Sequence, residues 1–168
     1  MEATVLHLEQ QECVVSQLQH EPEVFERIMA FQMPEFTERL IKKQGMSPEE
    51  AEKVFRETLR FLYLCRQGKK GRFSFAPSLL IDEGWHNFIL FTKAYQRFCE
   101  EYIGRFIHHE PLLSGKSSHK YHTAYQAAVQ LFGSLDIKIW PASGAGACQV
   151  ACSPGDPCND PPEECEMG

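Results

Sequence analysis

Between Asp82 and His109 the chain reads DEGWHNFILFTKAYQRFCEEYIGRFIHH, which sets a carboxylate, a Trp-His pair, a phenol, a thiol and two adjacent imidazoles among aromatic residues. Carboxylate, imidazole and thiolate are the side chains that ligate transition metals and move protons. On a helix turning about 100° per residue, Asp82 and His86 stand four positions apart on one face, where their side chains meet. The same wheel brackets them with Leu79, Ile89 and Leu90, so the pair is expected to be buried, and buried polar groups need compensation. Three kinds fit: a hydrogen-bonded lock in which Asp82 orients His86 to bridge helices, a pair of metal ligands, or a general acid and base. Under each, His86→Ala is expected to lower stability, because it strands the carboxylate.

His108 and His109 lie beyond Gly104 on RFIHHEP, read as a short extended connector. Adjacent side chains on extended chain point to opposite sides, so one of the two at most reaches Asp82 and His86. A metal set then joins Asp82, His86 and either His108 or His109, with Cys99 or water completing the shell. Zinc or iron is the cofactor such a set implies, and manganese also suits it. No zincin signature supports it, since His109-Glu110 has no second His four residues on. Cys99 could instead be a nucleophile beside His86 or His108. It shares a helical face with Tyr95 and Tyr102, however, as a packing cysteine does. Trp85 and Tyr95 line the pocket as core residues that use their polar atoms for one hydrogen bond each. A second group, Cys148, Cys152, Cys158 and Cys165, can wrap a soft metal ion or act in redox chemistry. Its gaps are unequal and hold no CxxC pair, so incidental thiols on an acidic tail are the other reading.

The elements that carry these residues read as helices. Residues 4 to 19 form a Gln-rich amphipathic pattern, and a second pattern follows Glu21-Pro22 to about Gln32. Pro34 starts PEFTERLIKKQ, which stops at Gly45 with Lys42 and Lys43 complementing the helix dipole. Ser47-Pro48-Glu49-Glu50 combines an N-cap, a first-turn proline and a capping-box acid, and launches a helix to about Gln67. Its stripe of Val54, Phe55, Thr58, Leu59, Phe61, Leu62 and Cys65 is the expected core. RQGKKGRFSFAP lacks the spacing of a phosphate loop and reads as a solvated turn or an anion-docking loop. Helices from about Ser78 to Phe91 and Thr92 to Ile103, or one continuous helix over both, carry the chemistry-bearing block. A last helix spans about Ser118 to Phe132, after which LDIKIWP alternates as a short strand or an extended strap. Ser114, Ser117, Ser118 and His119 form a polar loop with no strand-elbow context for a triad.

Length and composition bound what this array can be. A chain of 168 residues, 43% hydrophobic and 11% aromatic, buries one sizeable core. All 17 Lys and Arg lie at or before Lys138, against 18 Asp and Glu there, so the body carries −1 and the remainder −5. A near-neutral body lacks the cationic face that nucleic acid needs, and no nucleic-acid partner is expected. The opening MEATVLHLEQQE has no apolar run for a signal peptide or membrane span. A cytoplasmic location is therefore expected, with reduced thiols among the seven cysteines.

The order Asp82, Trp85-His86, Tyr95, Cys99, Gly104, His108-His109, then Thr123, Tyr125, Phe132-Gly133 and Trp140-Pro141, resembles the glycine-rich domain-containing proteins of plants and bacteria. The resemblance implies a helical intracellular domain without an assigned reaction, whose larger plant relatives are linked to stress responses and development. Bacterial look-alikes carry Cys- and Gly-rich tails; this tail is richer in Pro and acid.

The expected fold is all-α, a compact orthogonal or bundle-like array of about five to seven helices over residues 1–140. An irregular C-terminal strap and a flexible acidic tail over 141–168 complete it. The expected function is a binding domain whose buried Asp/His/Cys pocket takes a transition metal. A metal- or thiol-dependent enzyme using the same pocket is the first alternative. The second is a protein-interaction module in which the Asp-His pair is structural and a protein is the partner.

Overall fold

The computed structural model describes residues 18–67, 75–109 and 117–142. The N-terminal helix expected over residues 4–19 lies almost wholly outside them, as do most of the basic loop and the tail with its four cysteines. Among the described residues the fold is all-α, with six α-helices, one π turn and no strand.

The first three helices, α1 (Pro22–Met29), α2 (Pro34–Gln44) and α3 (Pro48–Gln67), each begin on a proline. Proline there has φ already set for the helix and lacks only an N–H that would have no partner in any case. Ser47 and Glu50 close the capping box: Glu50 N–H donates to Ser47 Oγ at 3.2 Å, and Ser47 N–H donates to Glu50 Oε2 at 2.8 Å. α2 ends at Gly45, whose φ of 67° lies in the left-handed region that disfavours any side chain.

α3 is the hub. Over Val54 to Leu64 it is buried nearly all round, and it packs against α1, α2, α4 (Leu79–Ile89), α6 (Ser117–Phe132) and the π turn. α4 starts at Ser78, whose Oγ accepts from Ile81 N–H at 3.3 Å. It gives its inward face to Ile81, Gly84, Trp85 and Phe88. Gly84 is required there: a Cβ would lie 2.2 Å from Thr58 Oγ1 and 2.9 Å from Val54 Cγ1 of α3. That close seating turns the opposite face of α4 outward.

α4 and α5 (Thr92–Phe98) are separate helices, because Phe91 adopts φ −86° and ψ 60° and turns the chain. After α5, residues Cys99–Ile103 widen into a π turn, closed by Gly104 N–H donating to Cys99 O at 2.8 Å. LDIKIWP is a strap and not a strand. Lys138 N–H donates to Asp136 Oδ1, while the Ile139 and Trp140 amides donate to Asp136 O, and that local turn takes up donors a ladder would need. Its end, Trp140, is fully buried, and its Nε1–H donates to Glu57 Oε2 at 2.7 Å.

No helix among the described residues is long and apolar enough to cross a membrane.

Candidate functional site

The outward face of α4 carries Asp82 and His86, one helical turn apart. Beyond Gly104 the chain, neither helix nor strand, returns to α4 and brings His109 alongside. His109 Nε2 stands 2.8 Å from Asp82 Oδ1, and because a carboxylate oxygen only accepts, that nitrogen carries the hydrogen. His86 Nδ1–H donates to the Asp82 backbone carbonyl at 2.8 Å and lies 3.2 Å from Asp82 Oδ2. The two imidazole centroids are 4.2 Å apart. One donor atom from each of Asp82, His86 and His109 lies within 4.8 Å of the other two. Around a tetrahedral ion with bonds of about 2.0 Å, donors stand about 3.3 Å apart; the Asp82 oxygens stand 2.8 Å and 3.2 Å from the His109 and His86 nitrogens. Among the described residues this is the one group of His, Cys, Asp and Glu gathered closely enough to hold a metal ion.

The group is accessible. The side chain of His86 is 53% exposed and that of Asp82 35%, while His109 is 11% exposed. This corrects the expectation of a buried pair. The bracketing leucines that pointed inward on the wheel, Leu79 and Leu90, are themselves 56% and 62% exposed. α4 has an apolar face turned inward and a mixed one turned to solvent.

The expected pocket residues divide by depth. Trp85 and Tyr95 are buried beneath the triad, where Trp85 Nε1–H donates to Tyr95 Oη at 2.9 Å and Tyr95 O–H donates to Ile107 O at 2.6 Å. Cys99 is fully buried, and the Ile107 amide and the Tyr95 hydroxyl are among the groups that act on its thiol. It therefore lies outside the triad, which corrects the expected Asp/His/Cys pocket. Burial pushes the Cys99 thiol above its ordinary range, chiefly by disfavouring the thiolate, so neither metal ligation nor nucleophilic attack is supported at that sulfur. The buried Tyr95 hydroxyl is also pushed up, first by desolvation.

Of the histidine pair, His109 faces α4 and lies edge-on to Trp85 with centroids 4.5 Å apart. His108 is exposed against Phe106 at 4.9 Å and takes no part in the group. Cys148, Cys152, Cys158 and Cys165 fall outside the described residues. Reading the sequence missed two contributors, Gly84 and the backbone of Ile107. An isolated glycine inside a helical pattern was the available signal for the first; the second, being main chain, left none.

Comparison with curated proteins and with solved structures finds no match. A family profile described as UCP032817-like matches residues 23–132, from α1 through α6 and including the whole triad. That family is uncharacterised, and the match overturns the resemblance to glycine-rich domain-containing proteins, of which no family is shown. Several residues behind that resemblance are ones the fold itself demands. Trp85, Tyr95 and Cys99 are buried, Gly104 takes φ 82°, and Trp140 plugs the core against Glu57. The profile covers about two thirds of the 168 residues, and the chain belongs to the UCP032817-like family.

Proposed function

We propose that this domain binds one transition-metal ion through Asp82, His86 and His109, with the remaining coordination positions open to solvent. The observation that carries the reading is the convergence of three donors within 4.8 Å on an exposed face, two of them from a helix and one from a separate connector. Two imidazoles and a carboxylate suit zinc or ferrous iron, and three protein donors leave room for water or an exogenous ligand. Binding requires the hydrogen on His109 Nε2 to leave that nitrogen or the ring to present its other one. Metal uptake therefore releases protons or shifts tautomers.

A hydrogen-bonded latch is the second reading. It is favoured by the direct contacts of Asp82 with both imidazoles, which satisfy the carboxylate without an ion. Titration separates the two. The protein purified without chelator or affinity-tag metal is expected to take up one equivalent of Co(II) or Zn(II). Metal at about 100 times its Kd should add about 2.7 kcal/mol of stability. Asp82→Asn should weaken uptake by roughly 100-fold, as loss of one of three ligands implies. Absence of uptake, or uptake unchanged by Asp82→Asn, sinks the metal reading in favour of the latch. Retention lost in a chain ending at Pro141 moves the site to the four tail cysteines.

A further inference from the structure

We infer that Tyr95 is a positioning residue for this centre: it clamps the Ile107 carbonyl to Trp85 and thereby sets where His109 stands against Asp82. The functional consequence rests on the metal reading, whereas the positioning itself holds in metal-free protein.

Consider what the hydroxyl adds. The Tyr95 ring is 1% exposed and packs edge-on to Phe88 at 5.2 Å and to Phe106 at 5.3 Å, contacts that phenylalanine would make equally well. The oxygen alone joins Trp85 of α4 to the Ile107 carbonyl, accepting from the first and donating to the second. Ile107 is thus tied through one oxygen to both α5 and α4.

His109 is two residues on. In extended chain, positions i and i+2 lie about 7 Å apart and face the same side. Ile107 and His109 accordingly turn towards the protein while His108 turns away. Fixing Ile107 therefore fixes the side and the height at which the His109 ring meets α4. Without the clamp, the described contacts that still hold the ring are its bond to Asp82, the edge of Trp85 and the His86 ring. A ligand supplied by a connector needs such support, because ligand orientation is set by the groups behind it.

The test uses the full chain carrying Tyr95→Phe, titrated with Co(II) and followed by visible absorption, together with proton–nitrogen correlation of the imidazole rings in metal-free protein. Co(II) affinity is expected to fall about 10- to 100-fold, the usual effect of losing support behind a metal ligand. The His109 ring resonances should shift as its bond to Asp82 loosens. In a His109→Ala background the same substitution should change affinity by less than about twofold, since the two residues act through one path. Equal losses in both backgrounds, or a lowered Tm with unchanged affinity and ring resonances, would overturn the inference and leave Tyr95 a core residue. If the wild-type chain takes up neither Co(II) nor Zn(II), the metal reading fails alone, and the ring resonances still decide the positioning. Should Tyr95→Phe fail to fold by circular dichroism, Trp85→Phe, which removes the donor to the same Tyr95 hydroxyl, is followed with the same readouts and outcomes.

Discussion

The triad of Asp82, His86 and His109 and the clamp of Trp85 and Tyr95, with the Cys99 thiol, form an exposed and a buried layer, and they differ in what their polar atoms are free to do. In the clamp, the indole N–H and the phenol are spent on one another and on Ile107, out of water, and the Cys99 thiol is fully buried. In the triad, two of the three side chains remain substantially exposed while their donor atoms converge. Residue type alone would rank Cys99 and His86 as equally reactive. Burial separates them: desolvation holds the thiol protonated, while exposure leaves the imidazole reachable.

The most forceful way to break that layering acts from behind. Gly84→Ala puts a methyl group 2.2 Å from Thr58 Oγ1, whose hydroxyl donates to Val54 O at 2.8 Å. The methyl can be accommodated only if α4 moves off α3 or Thr58 gives up its bond. Overpacking of this kind costs about 1–3 kcal/mol, and the larger end is expected because backbone-close atoms are involved. Urea unfolding measures it. Since Asp82 and His86 face the other way, the variant should still take up metal at low temperature, and loss of uptake by folded protein would show that the two layers are coupled.

The clamp should yield next, to alkali. Desolvation pushes the half-buried Cys65 up to about 12 from an ordinary value of 9.0, and pushes the buried Cys99, Tyr63, Tyr95 and Tyr121 in the same direction. A group with a raised folded pKa binds its proton more tightly in the native state. Its stabilisation is therefore complete below the unfolded pKa and drains away as pH climbs towards the folded value. For one fully shifted thiol the slope is about 1.4 kcal/mol per pH unit. Stability measured by denaturant titration should decline from about pH 9 upward, and a flat profile between pH 9 and 11 would contradict burial of these groups.

How much of this was legible follows from which interactions are local. The capping box at Ser47 and Glu50 and the glycine stop at Gly45 are set by residues within one turn, and the sequence displays them. That Asp82 and His86 share a face is equally local. Which way the face points was misread, because Leu79 and Leu90 counted as inward while the seating of α4 is decided by Gly84 against Thr58, 26 positions earlier. Alternation allowed either His108 or His109 to face the triad. The choice falls to Ile107, whose carbonyl is held by Tyr95, a side chain that the sequence shows as a core residue without naming its partner.

The smallest expected effect reverses a sequence-based expectation. If Asp82 were buried with His86 alone, His86→Ala would strand a carboxylate and cost stability. Here Asp82 keeps His109 at 2.8 Å and is itself 35% exposed, so water and one imidazole replace what is lost. His86 is 53% exposed, and a pair so placed contributes about 0–1 kcal/mol. The change in unfolding free energy should therefore stay within about 0.5 kcal/mol, while Co(II) affinity falls at least tenfold through loss of a ligand. A substitution that leaves the fold intact and removes the metal would locate function in the exposed layer. A large loss of stability would instead tie His86 to the latch, and through it to the clamp beneath.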